Sequence, residues 1–290
     1  MSFKIVCDTS SDLSINEIKK FDIDAVPFYI SFDGANYKKE IDEMSTEEFY
    51  NKLIEQKLFS KTSMPTIQDY IEVFEKNLRE EKDIICICIS SKLSGSYSSA
   101  INAKNILSEQ YPDRKITVID SSLATGSEYL FIRQLINMKN KGFSYEEIIE
   151  KLDKIKETGK VYFTVDSLDH LKYGGRIGKA SALAGTLLNI KPIIIVKEGE
   201  LFPGNKVRGH KKALQFIIDT VKEDLGEEKD KYDVCLITIS RNDSVEFIRH
   251  EFAKSGLKFL NNTVMVGSTI GSHVGPTIVG VCYIKKYEYV

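Results

Sequence analysis

The run Ile84-Ile85-Cys86-Ile87-Cys88-Ile89 constrains this chain more than any other feature. It has no polar face, so as a strand it must be covered on both sides, which is the condition of a parallel sheet sheathed by helices. The flanking segments supply the helices. Thr66 with Asp69 marks a helix start, and Ile67, Tyr70, Ile71 and Phe74 follow at helical spacing. After the run come a helix over 95–109, a strand over 116–119 and a helix over 123–140. Ser144 with Glu147 then caps another helix that ends near Gly159. Upstream, strands are expected over 3–7 and 25–32, and Ser45 with Glu48 opens a helix over 46–56. This alternation predicts an α/β first domain, residues 1–160, built on a doubly wound, mostly parallel sheet.

A different pattern begins near Lys160. Residues 161–165 read as a strand. Residues 192–196 and 200–202 form a hairpin turning at 197–199. A helix over 208–225, a strand over 234–239, a helix over 244–255 and a strand over 278–284 complete the chain. The hairpin implies a mixed sheet, so residues 161–290 are expected to form an α+β domain. A length of 290 residues suits two domains.

Several function classes lose support on bulk grounds. The 40 basic and 42 acidic residues are interspersed, with a net charge of −2. No basic stripe and no helix-turn-helix pattern favours nucleic acid. No apolar run reaches the roughly 18 residues of a membrane span. The start Met1-Ser2-Phe3-Lys4 leads straight into strand and lacks a signal-peptide pattern, so a cytoplasmic protein without stable membrane insertion is expected. Cys7, Cys86, Cys88, Cys235 and Cys282 sit in apolar runs and read as buried reduced thiols. The histidines show no metal-ligand spacing.

Four segments place small polar residues at strand ends, where open α/β sheets bind ligands. Asp8-Thr9-Ser10-Ser11-Asp12 is either a capped turn or the rim of a site. Lys61-Thr62-Ser63-Met64-Pro65-Thr66 offers hydroxyls before a helix. Ser90-Ser91-Lys92-Leu93-Ser94-Gly95-Ser96-Tyr97 joins the most buried strand to a helix N-terminus suited to an anion, with Gly95 allowing close approach. Gly267 to Pro276 is a glycine-flanked loop carrying His273. Gly174-Gly175-Arg176-Ile177-Gly178-Lys179 lacks dinucleotide-loop spacing. The small apolar run 180–188 after it reads as a packed helix or as one wall of an apolar pocket.

These segments, with Asp120-Ser121, Asn189-Ile190-Lys191-Pro192 and His273-Val274-Gly275-Pro276, resemble the DegV family over essentially the whole chain. The resemblance implies two domains enclosing one fatty acid, such as palmitate or oleate, with no other cofactor. It also suggests the acyl-binding (FakB-type) subunit of a bacterial fatty acid kinase, a non-catalytic partner of that enzyme. On this footing Thr62 or Ser63, Ser94 and Gly95 hold the carboxylate, with His273 nearby, and Arg208 matches a basic position near the site. Arg176, in its glycine-flanked loop, is the residue expected to face the partner. Met64 stands where the family usually has glutamine, and Thr277 where it often has glycine.

The chemistry is coherent. About 14 buried methylenes supply on the order of 11 kcal/mol gross, and hydroxyls with helix-start N–H groups can satisfy a buried carboxylate. A hydrolase or transferase acting on a small carboxylate or phosphate ester, with Ser94 and His273 as its pair, is the competing reading.

Overall fold

The computed structural model describes residues 3–183, 189–240, 243–259 and 263–290. In the first half, β1 (Phe3–Asp8) is followed by α1 (Ile15–Lys20) and β2 (Ile23–Val26). Then come β3 (Tyr29–Ser31), β4 (Lys38–Lys39), α2 (Thr46–Glu55) and β5 (Lys61–Ser63). Next in the chain are α3 (Ile67–Arg79), β6 (Asp83–Cys88), α4 (Ser96–Gln110), β7 (Ile116–Asp120), α5 (Thr125–Asn140) and α6 (Tyr145–Ile155).

The apolar run is β6, and it sits inside an all-parallel sheet of order β2-β1-β6-β7. Its side chains divide by the two-residue period of a strand. Ile85 and Ile87 enter one core with Ile5 and Cys7, whereas Ile84, Cys86 and Cys88 enter another with Tyr70, Phe74 and Leu107. All are fully buried, each isoleucine contributing roughly 1.5–3 kcal/mol. The chain leaves β1 toward one edge and β6 toward the other, so the topological switch lies between β1 and β6. The crevice beyond their carboxyl ends is the place such sheets bind ligands.

The strand expected over 25–32 is two strands. Pro27, which has no N–H to donate, separates β2 from β3, and the two join different sheets. The second of these is a small antiparallel sheet of order β4-β3-β5, not anticipated from the sequence, and it carries Thr62.

The second half contains β8 (Lys160–Thr164), α7 (Asp169–Tyr173), β9 (Ile190–Lys197), β10 (Glu200–Arg208) and α8 (His210–Leu225). It closes with β11 (Tyr232–Thr238), α9 (Asp243–Lys254), β12 (Thr263–Met265), α10 (Ser268–Val274) and β13 (Val279–Lys285). Its mixed sheet runs β10-β9-β8-β13-β11-β12, with only β11 and β12 parallel. Helices α8 and α9 share one core with it through residues such as Ile217 and Phe252. Helix α5 packs on its other face and shares the core that also holds β1 and β6. The parallel sheet thus draws on residues before Lys160 and the mixed sheet on residues from Lys160 onward, with α5 pressed between them. The hairpin is longer than expected, and 184–188 of the run 180–188 lie outside the described residues.

The glycine-flanked segment expected as a loop is largely the helix α10. Its free N-terminal N–H groups are satisfied from far along the chain. Asp12 Oδ1 accepts from Gly267 N at 2.8 Å and Glu40 Oε1 from Thr269 N at 2.9 Å. Among the described residues, no helix is long and apolar enough to cross a membrane.

Candidate functional site

A cavity of about 680 Å³, counted out to its mouth, lies beyond the carboxyl ends of β1 and β6 and faces the mixed sheet. Its size is that of a small-molecule site. Apolar side chains dominate the lining: Phe28, Ile89 and Leu93 come from the first half, and Phe163, Val196 and Leu201 from the second. Polar groups converge in one place, where Thr62, Ser94, Arg176 and His273 all line the space.

Thr62 Oγ1 lies 2.9 Å from His273 Nε2. Strand alternation turns Thr62 toward the cavity and Ser63 outward, so Ser63 is exposed and, among the described residues, its hydroxyl reaches only Met64 O, at 3.5 Å. Ser94 Oγ accepts the Ser96 N–H at 3.2 Å at the start of α4. No acceptor for its own proton is present among the described residues, so that proton can be offered to a ligand. Gly95 is the N-cap of α4 and does not line the cavity. A Cβ there would stand 2.4 Å from Met64 Sδ, so glycine allows the methionine to lie on the helix start.

Burial, and secondarily the charge of Arg176, bring the His273 imidazole down to about 4. The ring is therefore neutral near pH 7. Its Nδ1 is sealed from solvent with no partner among the described residues, and it packs so closely on Gly174 that a Cβ there would be 2.1 Å away. A sealed N–H without an acceptor is the costlier orphan. The favoured tautomer therefore carries its proton on Nε2 and donates it to Thr62, leaving the threonine hydroxyl proton for a ligand acceptor.

Arg176 is exposed. Its Nε donates to Leu93 O at 3.1 Å and its Nη1 to Gly174 O at 2.8 Å. It thereby ties the 174–178 segment to the loop after β6. Two further contacts tie the loop after β6 to the β9–β10 turn, and a third holds Glu200 to the 174–179 segment. Ser90 Oγ donates to Gly199 O at 2.8 Å, and Glu200 pairs with Lys92 at 3.3 Å and with Lys179 at 3.1 Å. Asp120 braces the loop from below by accepting from Ser91 N at 3.2 Å. Arg208 is exposed at the far end of β10, roughly 20 Å along the strand from Leu201, and does not line the cavity. Thr277 Oγ1 accepts the Asp166 N–H at 2.9 Å, a contact glycine could not make.

The Asp8–Asp12 segment is not a rim. Its side chains are buried beneath the cavity and hold the elements that line it. Asp8 accepts from Ile89 N at 3.1 Å and from Ser96 Oγ at 2.7 Å. Asp12 accepts from Thr125 Oγ1 at 2.5 Å, and Glu40 accepts from Thr9 at 2.6 Å and Thr269 at 2.5 Å. Burial raises the carboxyls of Asp8, Glu40 and Glu128, and raises Asp12 to about 7. Among the described residues, no cluster could hold a metal ion.

Thr125 and Thr269 also line the cavity; Thr125 falls in no candidate segment, and Thr269 falls in the segment from Gly267 to Pro276, where His273 is the residue singled out. Thr125 is a β-branched residue at φ 50°, an unusual conformation that its bond to Asp12 helps to hold. Both threonines spend their hydroxyls on buried carboxylates, leaving their methyl groups for the cavity.

The family profile of DegV, described as uncharacterised proteins, matches residues 2–286. A Thermotoga maritima relative named as a fatty acid-binding protein is 32% identical over 286 residues, covering 97% of this chain and 96% of the relative. Among solved structures, a stearic acid-binding protein from Eubacterium ventriosum superposes with a TM-score of 0.94 at 35% identity, over 99% of this chain and all of the other. A structure described as showing fatty acid binding of a DegV family protein from Thermus thermophilus gives 0.88 at 30% identity, over 98% of this chain and 100% of that one.

Proposed function

The chain belongs to the DegV family, and from that footing we propose that it binds one long-chain fatty acid, such as palmitate or oleate, and presents it to a partner kinase for acyl-phosphate formation. The acyl chain occupies the apolar cavity. The carboxylate sits where Thr62, Ser94 and His273 converge, accepting protons from the two hydroxyls. The observation that carries this reading is the Thr62–His273 pair, 2.9 Å apart in the lining of a largely apolar cavity. The hydroxyls suit the role because hydrogen bonds to an ionised acceptor are strong, while Arg176 commits part of its donor set to Leu93 O and Gly174 O. The relatives described as fatty acid-binding proteins support the ligand class.

Native mass spectrometry of the purified protein tests the first step, with a bound mass of one fatty acid expected. Apo mass alone, with no uptake of added palmitate or oleate, would overturn it. Reconstitution with a fatty acid kinase and assay for acyl phosphate tests the second step. For the hydrolase reading, Ser94 would need His273 as its base. His273 Nε2 is instead engaged by Thr62, and its Nδ1 is sealed.

A further inference from the structure

Sulfur in this protein is sorted by depth. All five cysteines are free and buried, and burial pushes the thiols of Cys7, Cys86 and Cys282 well above their usual range. Met44 and Met138 are sealed in the core at 3% and 0% exposure. Among the described residues, only Met64 and Met265 are open to solvent, at 45% and 43%. Peroxide chemistry on sulfur follows exposure and thiolate character, so these two methionines are the reactive positions.

Their surroundings differ. Met64 lines the cavity and Met265 does not. Met64 follows Thr62 by two residues along extended chain and so shares its side. Its Sδ lies against Gly95, the neighbour of Ser94. The thioether therefore lines the same cavity as the Thr62 and Ser94 hydroxyls and lies against the residue that follows Ser94.

We propose that Met64 is a peroxide-modifiable site whose oxidation weakens fatty-acid binding. The proposal rests on the fatty-acid reading above. The sulfur lone pair attacks one oxygen of hydrogen peroxide and the O–O bond breaks. That oxygen stays on sulfur as a sulfoxide, and the other leaves as water after proton transfer. The thioether is oxidised by two electrons and the peroxide is reduced. The sulfoxide oxygen is an acceptor with no donor of its own. It competes with the carboxylate for the Ser94 and Thr62 protons and repels it.

The test uses the full chain, stripped of lipid, before and after hydrogen peroxide. Sulfoxide is located by peptide mass spectrometry and palmitate affinity is measured by titration. Met64→Leu and Met265→Leu are treated in parallel, each compared with its own untreated sample. Wild type and Met265→Leu are expected to lose about tenfold in affinity, the effect of one hydrogen bond to a charged group. Met64→Leu should show a treated-to-untreated ratio near one, and methionine sulfoxide reductase should restore the wild type. Complete Met64 sulfoxidation with unchanged affinity would overturn the proposal, as would an equal loss in Met64→Leu. Untreated protein that takes up no palmitate would remove the fatty-acid reading and this consequence with it. Preferential oxidation of Met64 would still be scored by mass, so the two failures are distinguishable.

Discussion

Thr62 Oγ1 and His273 Nε2 meet at 2.9 Å although 211 residues separate them in sequence. Burial, with the charge of Arg176 adding to it, brings the pKa of the imidazole down to about 4, so the ring is neutral near pH 7. A neutral ring beside Thr62 can orient the threonine hydroxyl but supplies no positive charge near pH 7.

Thr62→Ala and Ser94→Ala should each weaken palmitate binding. Each removes a hydroxyl donor from a charged acceptor, costing roughly 1.5–3 kcal/mol, or about tenfold or more in affinity. The methyl ester should be much less sensitive. Equal losses for acid and ester in paired titrations would mean that these side chains shape the cavity without reading the carboxylate.

Stability should carry two opposed pH slopes. Asp12 rises from an ordinary 3.8 to about 7, chiefly through burial, against the bonds from Thr125 and Gly267 and with Glu40 adding to the rise. Between about pH 4 and 7 the folded protein binds a proton that the unfolded chain releases, so this group adds stability as pH falls. Asp8 and Glu40, also raised, act in the same direction. His273 falls from 6.5 to about 4, so the unfolded chain binds the proton and stability is lost as pH falls through that window. His273→Gln should therefore gain more stability than wild type between pH 7.5 and 5.5, and Asp12→Asn less. Urea midpoints at the two pH values decide it. A His273→Gln curve parallel to wild type would count against a buried neutral imidazole.

Arg176→Ala should lower acyl-phosphate formation with a cognate kinase by more than it lowers fatty-acid binding. The guanidinium is exposed and spends only part of its donor set on Leu93 O and Gly174 O. Donors remain for a phosphate or an acidic partner surface. A binding titration beside a reconstituted phosphorylation assay separates the roles. Parallel losses would assign Arg176 to tying the 174–178 segment to the loop after β6.

Gly126→Ala should destabilise the protein despite alanine's better helix propensity. A Cβ there would stand 2.5 Å from Ile237 Cγ2, 2.7 Å from Cys282 Sγ and 3.0 Å from Cys235 Sγ, all in buried residues. Overpacking of about 1–3 kcal/mol outweighs a propensity gain of about 1 kcal/mol. Cys282→Ala in the same chain should recover part of the loss. An unchanged denaturation midpoint for the single variant would refute the close approach.

Much of the architecture was written locally. The apolar run Ile84–Ile89 required a sheet covered on both faces. Local caps such as Ser14 with Glu17, Thr66 with Asp69 and Ser144 with Glu147 form within three residues, and each is a reciprocal box in the structure. Such signals are legible because donor, acceptor and hydrophobic period all lie within one or two turns.

What tertiary structure alone decided depends on groups far apart in the chain. Helix α10 has no side-chain cap of its own and was read as loop, because Asp12 and Glu40 satisfy its N-terminus across 255 and 229 residues. The Asp8–Asp12 segment, open in sequence between a capped turn and a rim, is a buried capped turn in which Asp8 accepts from Ser10 N, and it braces the elements that line the cavity. Thr125 carries no sequence signal, and Thr269 is marked only by its segment, since what distinguishes each is the distant carboxylate it meets. Of the matched segments, Thr62, Ser94, Arg176 and His273 came together, while Ser63 turned outward by strand alternation and Arg208 lay at the wrong end of β10. Local signals mark most of the strands and helices, because propensity, period and capping are short-range, but they mark neither the β4-β3-β5 sheet nor α10. Which hydroxyl faces the cavity, and which imidazole stays neutral beside it, depends on the packing of the two halves, which excludes water there.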